Sequence, residues 1–156
     1  MANTQSMERP GSLGRLPTLK TALAVITGVM MLVDLYFIFM VAPTDSVLGH
    51  VQRVFYFHVP IAIMSFLAFF VVFIGSLMYL IKRTPKWDAI AHASAEVGVV
   101  FVTLALLTGI IWARPIWNTW WTWEPRLTTT MILWLIYVAY LMVRSYAPSQ
   151  SKGAIY

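Results

Sequence analysis

Of the seven tryptophans in this 156-residue chain, five crowd into one stretch: Trp112, Trp117, Trp120, Trp121 and Trp123. Indoles present broad flat π-faces, and each aromatic contact adds roughly 0.5–1.5 kcal/mol beyond buried area. Two arginines, Arg114 and Arg126, flank the cluster, and a carboxylate, Glu124, follows it directly. One of the chain's three histidines, His58, stands in Arg53-Val54-Phe55-Tyr56-Phe57-His58-Val59-Pro60. A neutral imidazole ligates a metal through one ring nitrogen. Guanidinium groups take carboxylates by charge-assisted hydrogen bonds. Together these residue types suit the capture of a flat, apolar, acid-bearing ligand. Each also has a plainer use: tryptophans as an aromatic belt at the headgroups, arginines as lipid anchors, the histidine as an interfacial hydrogen-bonding group. A belt, however, scatters its aromatics, and here the opposite boundary offers only Trp87.

The stretch runs Trp117-Asn118-Thr119-Trp120-Trp121-Thr122-Trp123-Glu124-Pro125-Arg126-Leu127-Thr128. Positions 117, 120, 121 and 124 follow helical spacing, so a helix there would set three indoles and Glu124 on one face. Pro125 disfavours helical geometry at the residue before it, which predicts a short interfacial helix ending at Glu124. Heme fits this platform: it is flat and greasy, with two carboxylates for Arg114 and Arg126 and an iron for His58.

The elements that must position these residues are membrane helices. The chain is 60% hydrophobic and only 11% charged. A soluble domain runs nearer a quarter charged, so the bilayer is the second solvent. Four apolar segments, about 21–41, 54–81, 93–112 and 127–143, are each long enough to cross as a helix, which takes about 17–25 residues. Lipid leaves unpaired backbone groups without partners, so all four are predicted as helices. The fold class is therefore all-α, a polytopic four-helix bundle. Its expected organisation is a cytoplasmic tail over 1–19, disordered or surface-lying; a transmembrane bundle over 20–144 with an outer loop at 113–126; and a cytoplasmic segment over 145–156.

Charge sets the orientation. With the N-terminus inside, eight basic residues lie on the inner side (Arg9, Arg15, Lys20, Lys82, Arg83, Lys86, Arg144, Lys152) and three on the outer (Arg53, Arg114, Arg126). The positive-inside rule then gives an N-in, C-in protein. His58 and the tryptophan loop fall on the outer face, which in a bacterium is the periplasmic side of the inner membrane. The net charge of +5 belongs to this pattern and not to nucleic acid. The first span is too long for the roughly 7–15-residue core of a signal peptide, so it reads as a retained helix.

The remaining polar residues are less telling. With no cysteine, thiol redox chemistry, iron–sulfur ligation and covalent heme attachment are excluded. His50 is expected on the outer loop in water. His92 is expected at the inner start of the third helix, roughly 30 Å of bilayer away from His58, so the two cannot share one iron. Asp34 lies inside the first span, where a carboxylate needs a partner; functional and structural readings stay open. Glu96 is expected to complement the third helix's N-terminal dipole. No nucleophile–base pair or open metal triad appears, which argues against an enzyme.

Two blocks, Arg53–Pro60 and Trp117–Thr128, resemble the CcmC family of heme exporter proteins. That family belongs to a wider heme-handling group sharing a tryptophan-rich WWD motif. The likeness runs from about Thr21 onward. It implies non-covalent heme b, held at the outer face between the WWD loop and two axial histidines, then delivered to the heme chaperone CcmE during cytochrome c maturation. The ABC-type subunits CcmA and CcmB and the small membrane protein CcmD are the implied neighbours. His58 matches the first axial histidine, and Trp117, Trp120, Trp121 and Trp123 match the motif aromatics. Asn118 stands where glycine is usual, and Glu124 replaces aspartate. The family has six helices, with its second axial histidine between the last two. This chain is accordingly expected to be a fragment, a truncated member, or one completed by a second polypeptide. A subunit that recruits partners without binding heme is the alternative function.

Overall fold

The computed structural model describes residues 15–146. Parts of the expected terminal segments, 1–14 and 147–156, lie outside the described residues. The described chain forms two compact units, divided after Pro43.

In the first unit, helix α1 spans Arg15–Tyr36 and ends in one π-helical turn, Phe37–Val41. The amide of Ala42 donates to the carbonyl of Phe37 at 2.8 Å, closing the wider ring. Residues 15–19, expected in the tail, are already helical. Pro17 falls in the first turn, where a missing N–H breaks no helical bond. Asp34 is exposed within this unit, on a helix that is apolar around its circumference.

The second unit opens on a tight turn. The carboxylate of Asp45 accepts from the amides of Val47 at 2.8 Å and Leu48 at 2.7 Å, and Gly49 takes the left-handed φ of +57° that reverses the chain. Three helices follow: α2 (Gln52–Lys82), α3 (Pro85–Trp117) and α4 (Pro125–Ser145). With α1 they make, among the described residues, four helices long and apolar enough to span a membrane. At 1.5 Å per residue α2 and α3 are about 46 and 50 Å long, so both outrun a hydrocarbon core of about 30 Å. α3 therefore begins eight residues before the expected 93, at Pro85, and continues to Trp117. Proline at the first helical position and Asp88 in the first turn are the local reasons for its early start.

Small residues bring α2 and α3 together. Ala91, Ala95, Gly98, Val102, Ala105 and Ala113 are buried along one side of α3, and Ser65, Phe69, Val72 and Gly75 along α2. A Cβ built at Gly98 would sit 2.8 Å from the Phe69 ring, and one at Gly75 3.1 Å from Ala91 Cβ. In lipid there is little hydrophobic drive between helices, so close backbone approach over small residues supplies the packing. Apart from Phe69, large side chains of the pair face outward: Phe66, Phe70, Phe73, Leu107 and Ile111 are all more than half exposed. α4 packs against this pair through Leu133, Trp134, Tyr137, Tyr140 and Leu141. Tyr137 stacks on Phe69 with centroids 4.3 Å apart, and Trp134 Nε1 donates to Thr103 at 2.9 Å.

The end of the unit away from the tryptophan loop is clasped by an ion pair. Arg144, in the last turn of α4, pairs bidentately with Asp88 in the first turn of α3 and also donates to the Tyr140 hydroxyl at 3.0 Å. Both side chains are largely shielded, at 9% and 15% exposure. Glu96 is not in the N-terminal turn of α3. It lies three turns along and faces His92 at 3.6 Å, so the dipole role expected of it belongs to Asp88.

Candidate functional site

The antiparallel course of α2 and α3 brings the start of α2, the end of α3 and the start of α4 to one end of the second unit. There His58, on the second turn of α2, meets α3. Its Nδ1 lies 3.0 Å from the hydroxyl of Thr108. Its ring stacks loosely on Trp112, with centroids 6.0 Å apart and planes 27° from parallel. Gly109 clears the space between: a Cβ there would lie 3.1 Å from His58 Cε1. Trp112 in turn meets Phe55 at 5.9 Å and Trp117 at 6.2 Å. An imidazole and three aromatic rings thus form one continuous patch.

A cavity of about 160 Å³ opens beside this patch, lined by His58, Ser65, Phe66, Trp112, Trp117 and Arg126 among others. Small-molecule cavities run about 300–1,000 Å³. For a ligand as broad as a macrocycle, this is one wall of a site. The wall is apolar apart from the imidazole, hydroxyls and Arg126. It also has an unspent donor, the Trp112 indole nitrogen, which is buried without a hydrogen-bond partner; outside the lining, the Trp121 indole nitrogen and the hydroxyls of Thr122 and Thr128 are buried without one too.

The loop is not the short helix its spacing predicts. α3 ends at Trp117 because Asn118 adopts the left-handed conformation, φ +54° and ψ +21°, a common way to end a helix. Residues 118–124 are irregular. The hydroxyl of Thr119 donates to the carbonyl of Trp121 at 3.0 Å and folds the loop on itself. Pro125 is the first residue of α4, which holds Glu124 extended at ψ 153°. The indoles therefore divide. Trp117 joins Trp112 at the cavity, while Trp121 and Trp123 meet edge to face at 5.8 Å in the loop. Trp120 lies under the Arg114 guanidinium at 5.6 Å. Arg114 also donates to the side chain of Asn118, so it braces the end of α3 and does not line the cavity. Arg126 does line it and pairs with Glu124 at 2.7 Å, exposed to 72%.

His50 is exposed in the turn before α2. His92 lies beside Ala91, which packs on Gly75. Gly75 is 17 residues along α2 from His58, or about 25 Å at the helical rise. The two histidines belong to opposite ends. The sequence places Trp112 in the tryptophan cluster but not among the motif aromatics, and it does not single out Thr108 or Gly109. A signal existed for the glycine, which continues the small-residue seam of Gly98, Val102 and Ala105 at helical spacing.

A family model described as CcmC, heme exporter protein C, matches residues 6–155. The chain belongs to the CcmC family. A heme exporter protein C from Paracoccus denitrificans is 40% identical over 99 residues, covering 64% of this chain and 41% of the relative. Its counterpart from Rhodobacter capsulatus is 37% identical over 128 residues, covering 82% and 52%. A mitochondrial relative from Marchantia polymorpha, named as ccmC-like and for cytochrome c biosynthesis, is 34% identical over 113 residues, covering 72% and 50%. The chain thus spans about half the length of the curated CcmC relatives it matches.

Proposed function

We propose that this chain holds heme b non-covalently at the extracytoplasmic face of a bacterial inner membrane and hands it to a heme chaperone during cytochrome c maturation. The observation that carries this reading is His58 stacked beside Trp112 on a cavity that also takes Trp117 and Arg126. Membership of a family whose relatives are named for heme export supports it.

His58 would ligate the iron, and Trp117 and Trp112 would pack against the porphyrin. Arg126 and the free indole N–H of Trp112, both at the cavity, suit the propionates. Glu124 holds Arg126 at the rim. Arg114 and Trp120 keep the loop in shape. Heme here is cargo: the chain's residues bind and orient it, and no covalent step is needed of them. By resemblance, CcmE receives it, with CcmA, CcmB and CcmD alongside.

Purifying the chain and its His58→Ala variant with heme supplied tests the reading. Heme absorption in the first that is lost in the second is expected. Wild-type protein without heme absorption, or a variant that keeps it unchanged, would overturn the assignment. A second reading, a partner-recruiting surface, draws on Trp123 and Trp120, which are 75% and 58% exposed and lie outside the cavity lining. Normal chaperone capture by heme-free protein would favour it.

A further inference from the structure

We propose that Thr108 is a positioning residue that dictates which nitrogen of His58 carries the proton. It holds that proton on Nδ1 and leaves Nε2 with a free lone pair. The tautomer assignment stands on geometry alone; only the use made of the bare nitrogen rests on the heme reading above.

The Thr108 hydroxyl has one hydrogen to give, and it gives it to its own helix, to the carbonyl of Leu104 at 2.8 Å with a longer approach to Ala105 at 3.2 Å. What remains on that oxygen is acceptor capacity. His58 Nδ1, 3.0 Å away, therefore meets an acceptor and is assigned as the donor, with the Ala105 carbonyl beside the hydroxyl as a second acceptor for the ring. An imidazole that donates from Nδ1 is either the neutral tautomer with Nε2 bare or the cation. In an apolar helical wall the neutral form is the one that costs little.

The same device occurs one step along α3. Thr103 donates to the carbonyl of Val99 at 2.7 Å and accepts from Trp134 Nε1 at 2.9 Å. There the partner is an indole, which can only donate. The Thr103 pair thus shows on this helix the arrangement inferred for Thr108: hydroxyl hydrogen committed to the preceding turn, oxygen turned to a ring N–H of a neighbouring helix. Gly109, next to Thr108, lets the imidazole approach closely enough for the bond to form. A ligating histidine commonly donates its other ring N–H to a fixed acceptor, which sets tautomer and orientation. Removing that acceptor typically weakens metal binding by about 10–100-fold.

The test uses the full chain in detergent with ¹⁵N-labelled histidine, free of heme, at about pH 8, above the ordinary imidazole range. Ring nitrogen shifts report which nitrogen is protonated, and His58→Gln identifies the signal. Wild type and Thr108→Ser are expected to show protonated Nδ1 and bare Nε2. Thr108→Val is expected to lose that bias, and Thr103→Val to retain it. A wild-type His58 protonated on Nε2, or a Thr108→Val signal identical to wild type, would overturn the proposal. Heme titration of the same proteins separates the two readings. Weaker binding in Thr108→Val, restored in Thr108→Ser, is the expected result. A wild type with the expected tautomer that takes up no heme would sink the heme reading and leave the positioning role intact.

Discussion

At the scale of single residues, the site depends on how closely α3 lets His58 approach. Gly109→Ala would place a methyl group 3.1 Å from His58 Cε1. Overpacking of this kind costs about 1–3 kcal/mol, and the ring is the movable partner. The variant should fold and insert normally yet retain roughly tenfold less heme, read from absorption per protein. Equal retention would mean the imidazole has room to spare. Asp45 makes a different prediction. The amides of Leu48 and Val47 hold its carboxyl below its ordinary value. A depressed carboxylate contributes its stability above its unfolded pKa and loses it as pH falls through the folded one. The turn before α2 should therefore be indifferent to pH near neutrality and loosen only in acid, as amide exchange of Val47 and Leu48 would report. Neither the turn's protonation behaviour nor the Thr108 bond follows from residue order. Both depend on which backbone groups and neighbouring helices a side chain meets.

At the scale of elements, the Asp88–Arg144 clasp fixes α3 against α4. Breaking a shielded pair from one side typically costs about 3–5 kcal/mol, because the other charge is left uncompensated. Arg144→Met should lower the unfolding midpoint in detergent sharply, while Arg144→Met with Asp88→Leu should recover much of the loss. Two equal, additive losses would show that the charges act separately. Hydropathy made the four spans legible, since each is a long run with few charges. It misplaced the start of α3 because Lys86 and Asp88 lower the average, although Pro85 and Asp88 are themselves helix-start residues. The tryptophan spacing misled in another way. Positions 117, 120, 121 and 124 keep helical rhythm, but the left-handed Asn118 ends the helix after the first of them and the helix-opening Pro125 holds the last extended. The grouping of His58 with the loop was legible from span counting. The split of the indoles into a cavity pair and a loop pair was not, because it needs the side-chain contacts of Arg114 and Thr119.

At the scale of the whole molecule, heme capture on the outer side requires the tryptophan loop and the turn before α2 to face away from the cytoplasm. The native chain has no cysteine, so single introduced cysteines report sidedness cleanly. Val47→Cys and Trp123→Cys, at positions 87% and 75% exposed, should react with an impermeant thiol reagent added outside intact cells. Lys86→Cys should react only after permeabilisation. The central claim, that one imidazole at the mouth of α2 grips heme iron, is tested most directly by replacing it and then supplying it again. His58→Gly should lose the heme absorption of the full chain, and added imidazole should restore a ligated-iron spectrum. A glycine variant that keeps the wild-type spectrum with no imidazole present would contradict the account.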